Sequence, residues 1–557
     1  MRAPGLLAEQ PAFWRIVKNK WIRDTARTRV GVLKKTSDAM RDTVPAAIDQ
    51  RRSSAGLILI LFFSAAAFLV HLLTAGRYGY FRDELYYIAC ARHLAFGYVD
   101  QPPLSILLLH LSQVLFGNSL FAIRLFPALA GAATVAITGL IARELGGRAW
   151  AVALGCAGAL CALFNLAVGN FFSMNAFEPV FWMGCIYALV RIINGGSSTL
   201  WLWFGVLLGL GLENKHSTAF FAAGIFIALL ITPERRHLAE KWIWFGGLIA
   251  FAIALPNILW QLQNHSPTYE LLRNIARSDK NVALRPAQFI VQQIVFMNPG
   301  TLPLWLAGLI WLFGSGDGRR YIALGIIYLV TLAEFIILHG KSYYLAPAYP
   351  MLFAAGGVAM ERFFANRLKW CKAGLLVLVL ATGALLTPLA VPILPPGKLV
   401  AYMQTIGLQL PRTETSHTAP LPQIFADQFG WEQMVASVGH VYNHLRPEDK
   451  KRAAIFCQNY GEAGAVDFFG PKFGLPPAIS GHQNYFRWGP RDWTGEVVLV
   501  LDTRDDDERE QFASVEDLGQ IVSSPWAMPF ERRTHIYLCR DLKANVREFW
   551  PQVKKWL

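Results

Sequence analysis

Tyr80-Phe81-Arg82-Asp83-Glu84-Leu85-Tyr86-Tyr87 follows directly on the first long apolar run of the chain. Two adjacent carboxylates at the end of an apolar run, where a membrane surface would lie, serve no evident packing purpose and therefore point to chemistry. If the stretch is helical, Asp83 and Tyr87 share one face at i,i+4. Ile88 to Phe96 is amphipathic enough to lie along an interface. In Gly97-Tyr98-Val99-Asp100-Gln101-Pro102-Pro103-Leu104 the double proline stops a helix and fixes a turn, which holds Asp100 at a rigid corner near Asp83. Leu104 to Phe116 is apolar but too short to span a bilayer, so it reads as an interfacial or re-entrant helix.

The rest of the chain supplies the membrane. Of 557 residues 54% are hydrophobic and 16% charged, against about 25% charged in soluble domains. The deficit falls within 55–395. Apolar runs at roughly 55–75, 119–142, 148–168, 176–193, 199–213, 216–232, 242–261, 298–314, 321–338, 345–362 and 372–394 give eleven spans, and one further pair would give thirteen with the same sidedness. A polytopic α-helical membrane protein of about 11–13 transmembrane helices is expected. Residues 1–54 carry twelve Lys/Arg against five Asp/Glu and read as a cytoplasmic N-terminal segment, and no cleavable signal peptide is expected, because the first apolar run starts only near Gly56. Residues 55–395 form the membrane domain, with an outer loop at 76–118. The tail 396–557 reads as a periplasmic α/β domain, with buried strands at 453–456, 497–501 and 536–538 and a helix at 431–445. The net charge of +14 concentrates in predicted inner loops, including Arg143, Arg148, Arg191, Arg235, Arg236, Arg319 and Arg320. Anionic lipid explains it better than nucleic acid does. The outer loop 262–297 runs against this rule with Arg273, Arg277, Lys280 and Arg285, which suggests phosphate binding there. Cys156, Cys161, Cys185 and Cys371 suit packing, and a Cys457–Cys539 pairing in the tail is left open. No Cys/His metal spacing occurs; the metal remains unknown and a divalent cation open, with Asp83, Asp100, Glu178 and a histidine as its available ligands.

Three further motifs lie at predicted outer ends. Asn175-Ala176-Phe177-Glu178-Pro179 places Glu178 close to membrane depth, where an ionisable residue is functional by default; capping the following span is the competing reading. Gly209-Leu210-Gly211-Leu212-Glu213-Asn214-Lys215-His216 and His339-Gly340-Lys341-Ser342-Tyr343-Tyr344 supply Lys215 and Lys341, suited to a phosphate or to simple snorkelling. His216, His339 and Tyr344 could add substrate contacts, although Tyr343, Tyr344 and Tyr349 also fit an aromatic belt. In the tail, Phe456 to Ala465 reads as a strand followed by a helix N-terminus. Its Gly, Asn and aromatic residues, like those of Ser480 to Tyr485, suit carbohydrate contact or tight turns equally.

Arg82 to Tyr87 with Asp100 to Pro103, the glycine-leucine stretch ending at Lys215, and His339 to Pro350 together resemble the glycosyltransferase family 39 group, which includes protein O-mannosyltransferases and lipid A aminoarabinose transferases. The resemblance covers roughly 55–365. It implies a GT-C fold with a long first outer loop and an inverting transfer of a monosaccharide from a polyprenyl-phosphate donor to an extracytoplasmic lipid, glycan or protein at a bacterial inner membrane. By that resemblance Asp83 is the general base and Glu84 orients sugar or acceptor. Tyr87, Asp100, Glu178, Lys215, His216, His339, Lys341 and Tyr344 become candidate substrate contacts. Gln101 stands where the lipid A enzymes have lysine, and Glu178 where many relatives have aspartate. No cofactor is certain, and the expected partners are the lipid-linked sugar and membrane lipids. The rival, a transporter or flippase of a lipid-linked sugar, would need ionisable groups at mid-span depth.

Overall fold

The computed structural model describes residues 54–365, 369–408, 410–412, 414–415 and 418–557; apart from Ser54, the expected N-terminal segment 1–54 lies outside them. Among the described residues six helices are long and apolar enough to cross a membrane, beginning with Ser54–Thr74, Leu120–Glu144 and Met174–Ile193, and the number rises to eight if each of two bent pairs is one span. The protein is a multi-pass membrane protein. The apolar runs nevertheless suggested eleven to thirteen spans. The difference arises because several runs fold as shorter or broken helices. Ala149–Cys161, Leu200–Asn214 and Tyr349–Phe363 have 13 to 15 residues. The run at 148–168 breaks at Ala162, whose backbone is extended, before Leu163–Val168. Pro286–Phe296 and Pro299–Gly314 meet at 95°, where proline removes a backbone donor.

The short helices are buried by close backbone contact. Gly357 faces the Ala151 carbonyl and Gly308 the Leu352 carbonyl so closely that a Cβ would sit 2.4 Å from the oxygen in each case. Small residues permit this approach where burial in lipid offers little hydrophobic driving force.

The first loop folds largely as the sequence indicates. It contains helices Arg82–Arg92 and Leu104–Phe116, with a corner closed between them by the Tyr98 N–H donating to the Gln101 carbonyl at 3.1 Å.

Above the loop stands a five-stranded sheet of β1 (Ala453–Cys457), β2 (Ala478–Ile479), β3 (Val497–Asp502), β4 (Phe512–Gln520) and β5 (His535–Leu542), in the order β2-β1-β3-β5-β4. β1 pairs in parallel with β2 and β3, and β5 runs antiparallel to β3 and β4. Strand alternation sends Ile455, Cys457, Leu499 and Leu538 to one face and Val498, Val500, Tyr537 and Cys539 to the other. The Cys457–Cys539 pairing therefore does not form. β3 separates the two strands, the thiols point to opposite faces, and both cysteines are free. The first face is covered by helices Trp431–Asn443 and Tyr460–Phe469.

Helix Tyr460–Phe469 fastens the sheet domain to the first loop. Gly464 lies so near the loop helix that a Cβ would meet the Leu85 carbonyl carbon at 2.8 Å and the Tyr86 nitrogen at 2.9 Å. Gly464→Val forces the two helices apart, at a cost of about 1–3 kcal/mol by overpacking. Limited proteolysis of the detergent-solubilised protein is expected to separate the sheet domain from the membrane helices roughly tenfold faster, provided cleavage follows the opened form. Gly247→Ala, where a Cβ meets no atom within 4 Å, serves as the neutral comparison. Equal cleavage of both variants would contradict this docking.

Candidate active site

The adjacent carboxylates of the loop helix have opposite fates. Glu84 is fully buried. Its carboxylate accepts from the Phe81 N–H at 2.8 Å, closing the helix N-terminus, and from the Phe172 N–H at 2.8 Å. It also accepts two bonds from Arg124, Nε to Oε1 at 2.9 Å and Nη2 to Oε2 at 2.8 Å. Arg124 spends its remaining donors on the Ala75 and Gly79 carbonyls. A forked guanidinium suits such a bidentate partner. Every lone pair of Glu84 points into structure, so the sequence expectation that it acts on sugar or acceptor has no geometric support. Its packing purpose was invisible because Arg124 is forty residues away.

Asp83, one residue earlier, faces the other way into a cavity of about 350 Å³ and stays about one-third exposed. Tyr87 and Asp100 line the same cavity, as their spacing predicted. The sheet domain completes this pole. Tyr460 Oη donates to Asp83 Oδ1 at 2.9 Å. Tyr86 Oη donates to Asp100 Oδ1 at 2.8 Å, and Asn484 Nδ2 reaches both Tyr86 Oη and Asp100. Burial, opposed by the Tyr86 hydrogen bond and aided by the charge of Asp83, pushes the Asp100 carboxyl up to about 6.

A cationic pole adjoins this one, with Arg82 Nε 3.8 Å from Asp83 Oδ1. Arg82, Lys280, Lys341 and Arg412 all line the cavity. Two further carboxylates meet them: Glu414, 3.5 Å from Lys341 Nζ and 4.0 Å from Arg82 Nη2, and the buried Asp427, 3.8 Å from the same Arg82 nitrogen. For Glu414 the balance of charge is one-sided. Burial opposes its ionisation, but the combined charges of Arg82, Lys341 and Lys280 and a bond from Gln423 override this and draw it down to about 2. Lys280 also donates to the Leu557 backbone oxygen at 2.9 Å. Burial, only partly offset by the charge of Glu414, lowers its pKa. The remaining walls are apolar: Leu163, Phe164, Ala167, Val168, Phe296 and Ile424, with Tyr343 and Tyr344 beside Lys341.

The other predicted residues fall outside the cavity lining. Glu178 and Lys215 form a buried pair at 2.8 Å, with Ser217 donating to the same carboxylate. Lys215 Nζ lies 4.2 Å from the centroid of the Tyr344 ring, behind the wall rather than in it. His216 contacts Asn257 Oδ1 at 3.3 Å, and Asn257 holds the Phe96 carbonyl of the loop. His339 is exposed at a positive φ of 53°. Arg273, Arg277 and Arg285 are exposed, whereas Lys280 from the same loop reaches the cavity. Asp83 and Asp100 share the cavity without Glu178. Among the described residues no three His, Cys, Asp or Glu side chains are grouped to hold a metal ion. Arg82 stood inside the first motif without a role assigned to it. Tyr460, Asn484 and Glu414 come from the tail, where only the bias toward Asn, Gln and aromatics hinted at ligand contact.

Residues 100–260 match the family model for dolichyl-phosphate-mannose-protein mannosyltransferase. The chain is 26% identical over 293 residues to the lipid A galacturonosyltransferase RgtD of Rhizobium johnstonii, covering 50% of this chain and 59% of that one. It is 28% identical over 236 residues to the undecaprenyl phosphate-alpha-4-amino-4-deoxy-L-arabinose arabinosyl transferase of Pseudomonas aeruginosa, covering 39% and 41%. The matched region thus spans about half the length of these curated relatives. Its fold is similar to that of ArnT from Cupriavidus metallidurans, solved both in the apo state and bound to undecaprenyl phosphate, at a TM-score of 0.55 and 14% identity over 87% of this chain and 98% of that one. The fold is GT-C.

Because Arg124 holds both the loop helix and the end of the first span, Arg124→Met leaves Glu84 buried and unpaired. Such a break costs about 3–5 kcal/mol. Thermal unfolding in detergent is expected to show a clearly lowered Tm, and Glu84→Gln a smaller loss. A wild-type Tm in Arg124→Met would contradict the anchoring role.

Proposed function

We propose that this protein transfers a monosaccharide from a polyprenyl-phosphate carrier to an acceptor at the outer surface of a bacterial inner membrane. The observation that carries the reading is a single cavity in which a partly exposed carboxylate, Asp83, adjoins a cluster of cations, Arg82, Lys280, Lys341 and Arg412, with apolar side chains along its walls. The isoprenoid tail would lie against Leu163, Phe164, Val168 and Phe296. The phosphate would face Arg82, Lys280 and Lys341. The sugar would then sit beside Asp83 and Asp100.

In this arrangement Asp83 accepts the proton of the acceptor hydroxyl or amine. The acceptor atom forms a bond to the anomeric carbon from the face opposite the phosphate. The bond between that carbon and the phosphate oxygen breaks, and its electron pair remains on the phosphate. The cations stabilise the charge that develops there. No covalent sugar intermediate is required, and the anomeric configuration inverts. Tyr460 acts as a positioning residue by holding one oxygen of Asp83 while the other stays free.

The same reading places the N-terminal segment 1–54 in the cytoplasm and the domain 396–557 outside, with 55–395 as the catalytic membrane domain. It is supported by basic loops on one side: Asn194 donates to the Glu144 carbonyl at 2.8 Å, and Arg320 to the Ile193 carbonyl at 3.0 Å. The galacturonic acid and aminoarabinose in the relatives' names leave either an acidic or an amino sugar open as donor.

Purified protein supplied with a radiolabelled undecaprenyl-phosphate sugar and membrane lipid acceptors is expected to release undecaprenyl phosphate and label the acceptor. Asp83→Asn should lower turnover by about a hundredfold to ten-thousandfold, the usual worth of a general base. Tyr460→Phe should lower kcat by roughly three- to tenfold with little change in KM, the value of one hydrogen bond. Full activity of Asp83→Asn would refute the assignment, and movement of the intact lipid-linked sugar without cleavage would favour a transporter.

A further inference from the structure

Glu414 takes no part in the transfer chemistry. Its carboxylate is 8% exposed and sits at the focus of the cationic pole. Lys341 Nζ is 3.5 Å from Oε1, Arg82 Nη2 is 4.0 Å from Oε2, and Gln423 donates to Oε2 at 3.1 Å. Arg82 and Lys341 line the cavity together with Lys280 and Arg412. An anionic ligand that approaches Arg82 or Lys341 therefore meets Glu414 beside them. A backbone bridge to Asn281 and the Thr415 N–H donating to the Lys280 carbonyl at 3.0 Å bring Glu414 beside the Lys280 loop.

We propose that Glu414 is an internal anion that competes with the phosphate of the polyprenyl carrier for Arg82 and Lys341, and so sets carrier affinity and product release. The proposal rests on the polyprenyl-phosphate reading above. It answers a problem inherent in that chemistry. The donor is a phosphodiester with one negative charge. The product is a phosphomonoester, with a charge of about −1.5 to −2 at neutral pH. A pole that stabilises the leaving phosphate thus binds the product more tightly than the donor, and release would become slow. Glu414 provides a counter-ion that returns to the cations as the product leaves. A ligand that binds only when the carboxylate withdraws has its affinity reduced by the fraction of molecules in which it has done so.

The test is equilibrium binding of radiolabelled undecaprenyl phosphate, and of undecaprenol as the uncharged comparison, to the full-length protein in detergent. Glu414→Gln and Glu414→Ala are measured beside the wild type and Lys341→Gln. Both Glu414 variants are expected to bind undecaprenyl phosphate about tenfold more tightly or better, because a like charge near the phosphate is gone. Undecaprenol binding should be unchanged, which also reports an intact apolar wall should either variant be less stable. Lys341→Gln should weaken binding of the phosphate alone. Equal or weaker phosphate binding in both Glu414 variants, with wild-type binding still sensitive to Lys341→Gln, would overturn the competition while leaving the carrier reading intact. No phosphate-dependent binding by any variant would overturn the carrier reading and this proposal with it.

Discussion

The buried pair of Glu84 and Arg124 is the constraint on which the cavity depends. Burying two charges is costly, and the cost is recovered only when geometry is good and the remaining lone pairs and protons are satisfied. Both conditions hold. Glu84 accepts four bonds, and Arg124 also takes up carbonyls from the segment after the first span. The result is a helix whose start and rotation are fixed. Since successive helical residues diverge by about 100°, fixing Glu84 inward leaves Asp83 and Tyr87 on the face that lines the cavity. One carboxylate is used as an anchor so that its neighbour can be presented.

The cavity is a joint product of two layers. The membrane helices supply apolar walls and Lys341; the first loop supplies Arg82, Asp83, Tyr87 and Asp100. The sheet domain closes the site with Tyr460 and Asn484, each bonded to a loop carboxylate. Gly464 allows the close approach that makes those bonds possible. Both kinds of charge share the cavity. Arg82 joins them, with Nε 3.8 Å from Asp83 and Nη2 4.0 Å from Glu414, while Lys341 lies beside Glu414. Breaking a sugar–phosphate bond uses both, since one end gains a proton as the other gains negative charge.

Much of this could be read from the sequence because it is local. The spacing of Asp83 and Tyr87, the proline corner holding Asp100, the short apolar helix after it and the strands of the tail all follow from periodicity and from proline chemistry. Lys341 and Tyr344 could be placed by their position between apolar runs. What could not be read was pairing across distance. Glu84 looked reactive because Arg124 is remote in the chain. Glu178 and Lys215 looked like separate site residues, yet they neutralise each other behind the tyrosine wall. Glu414 carried no local signature and Tyr460 only the Gly, Asn and aromatic bias of its stretch, and their roles appear only once the tail folds back onto the loop. The number of helices long enough to cross by themselves is smaller than the number of apolar runs, because hydropathy detects apolar residues but does not register bends such as the one near Pro299.

The central claim is that a carrier phosphate is held by cations in the same cavity that presents Asp83. Cryo-electron microscopy of the protein with undecaprenyl phosphate tests it directly. The account predicts density for the phosphate within about 4 Å of Lys341 and Arg82, the range of an ion pair, with the isoprenoid tail running along Phe164 and Phe296. Phosphate density beside the Glu178–Lys215 pair or at the lipid-facing surface, with the Asp83 cavity empty, would contradict it.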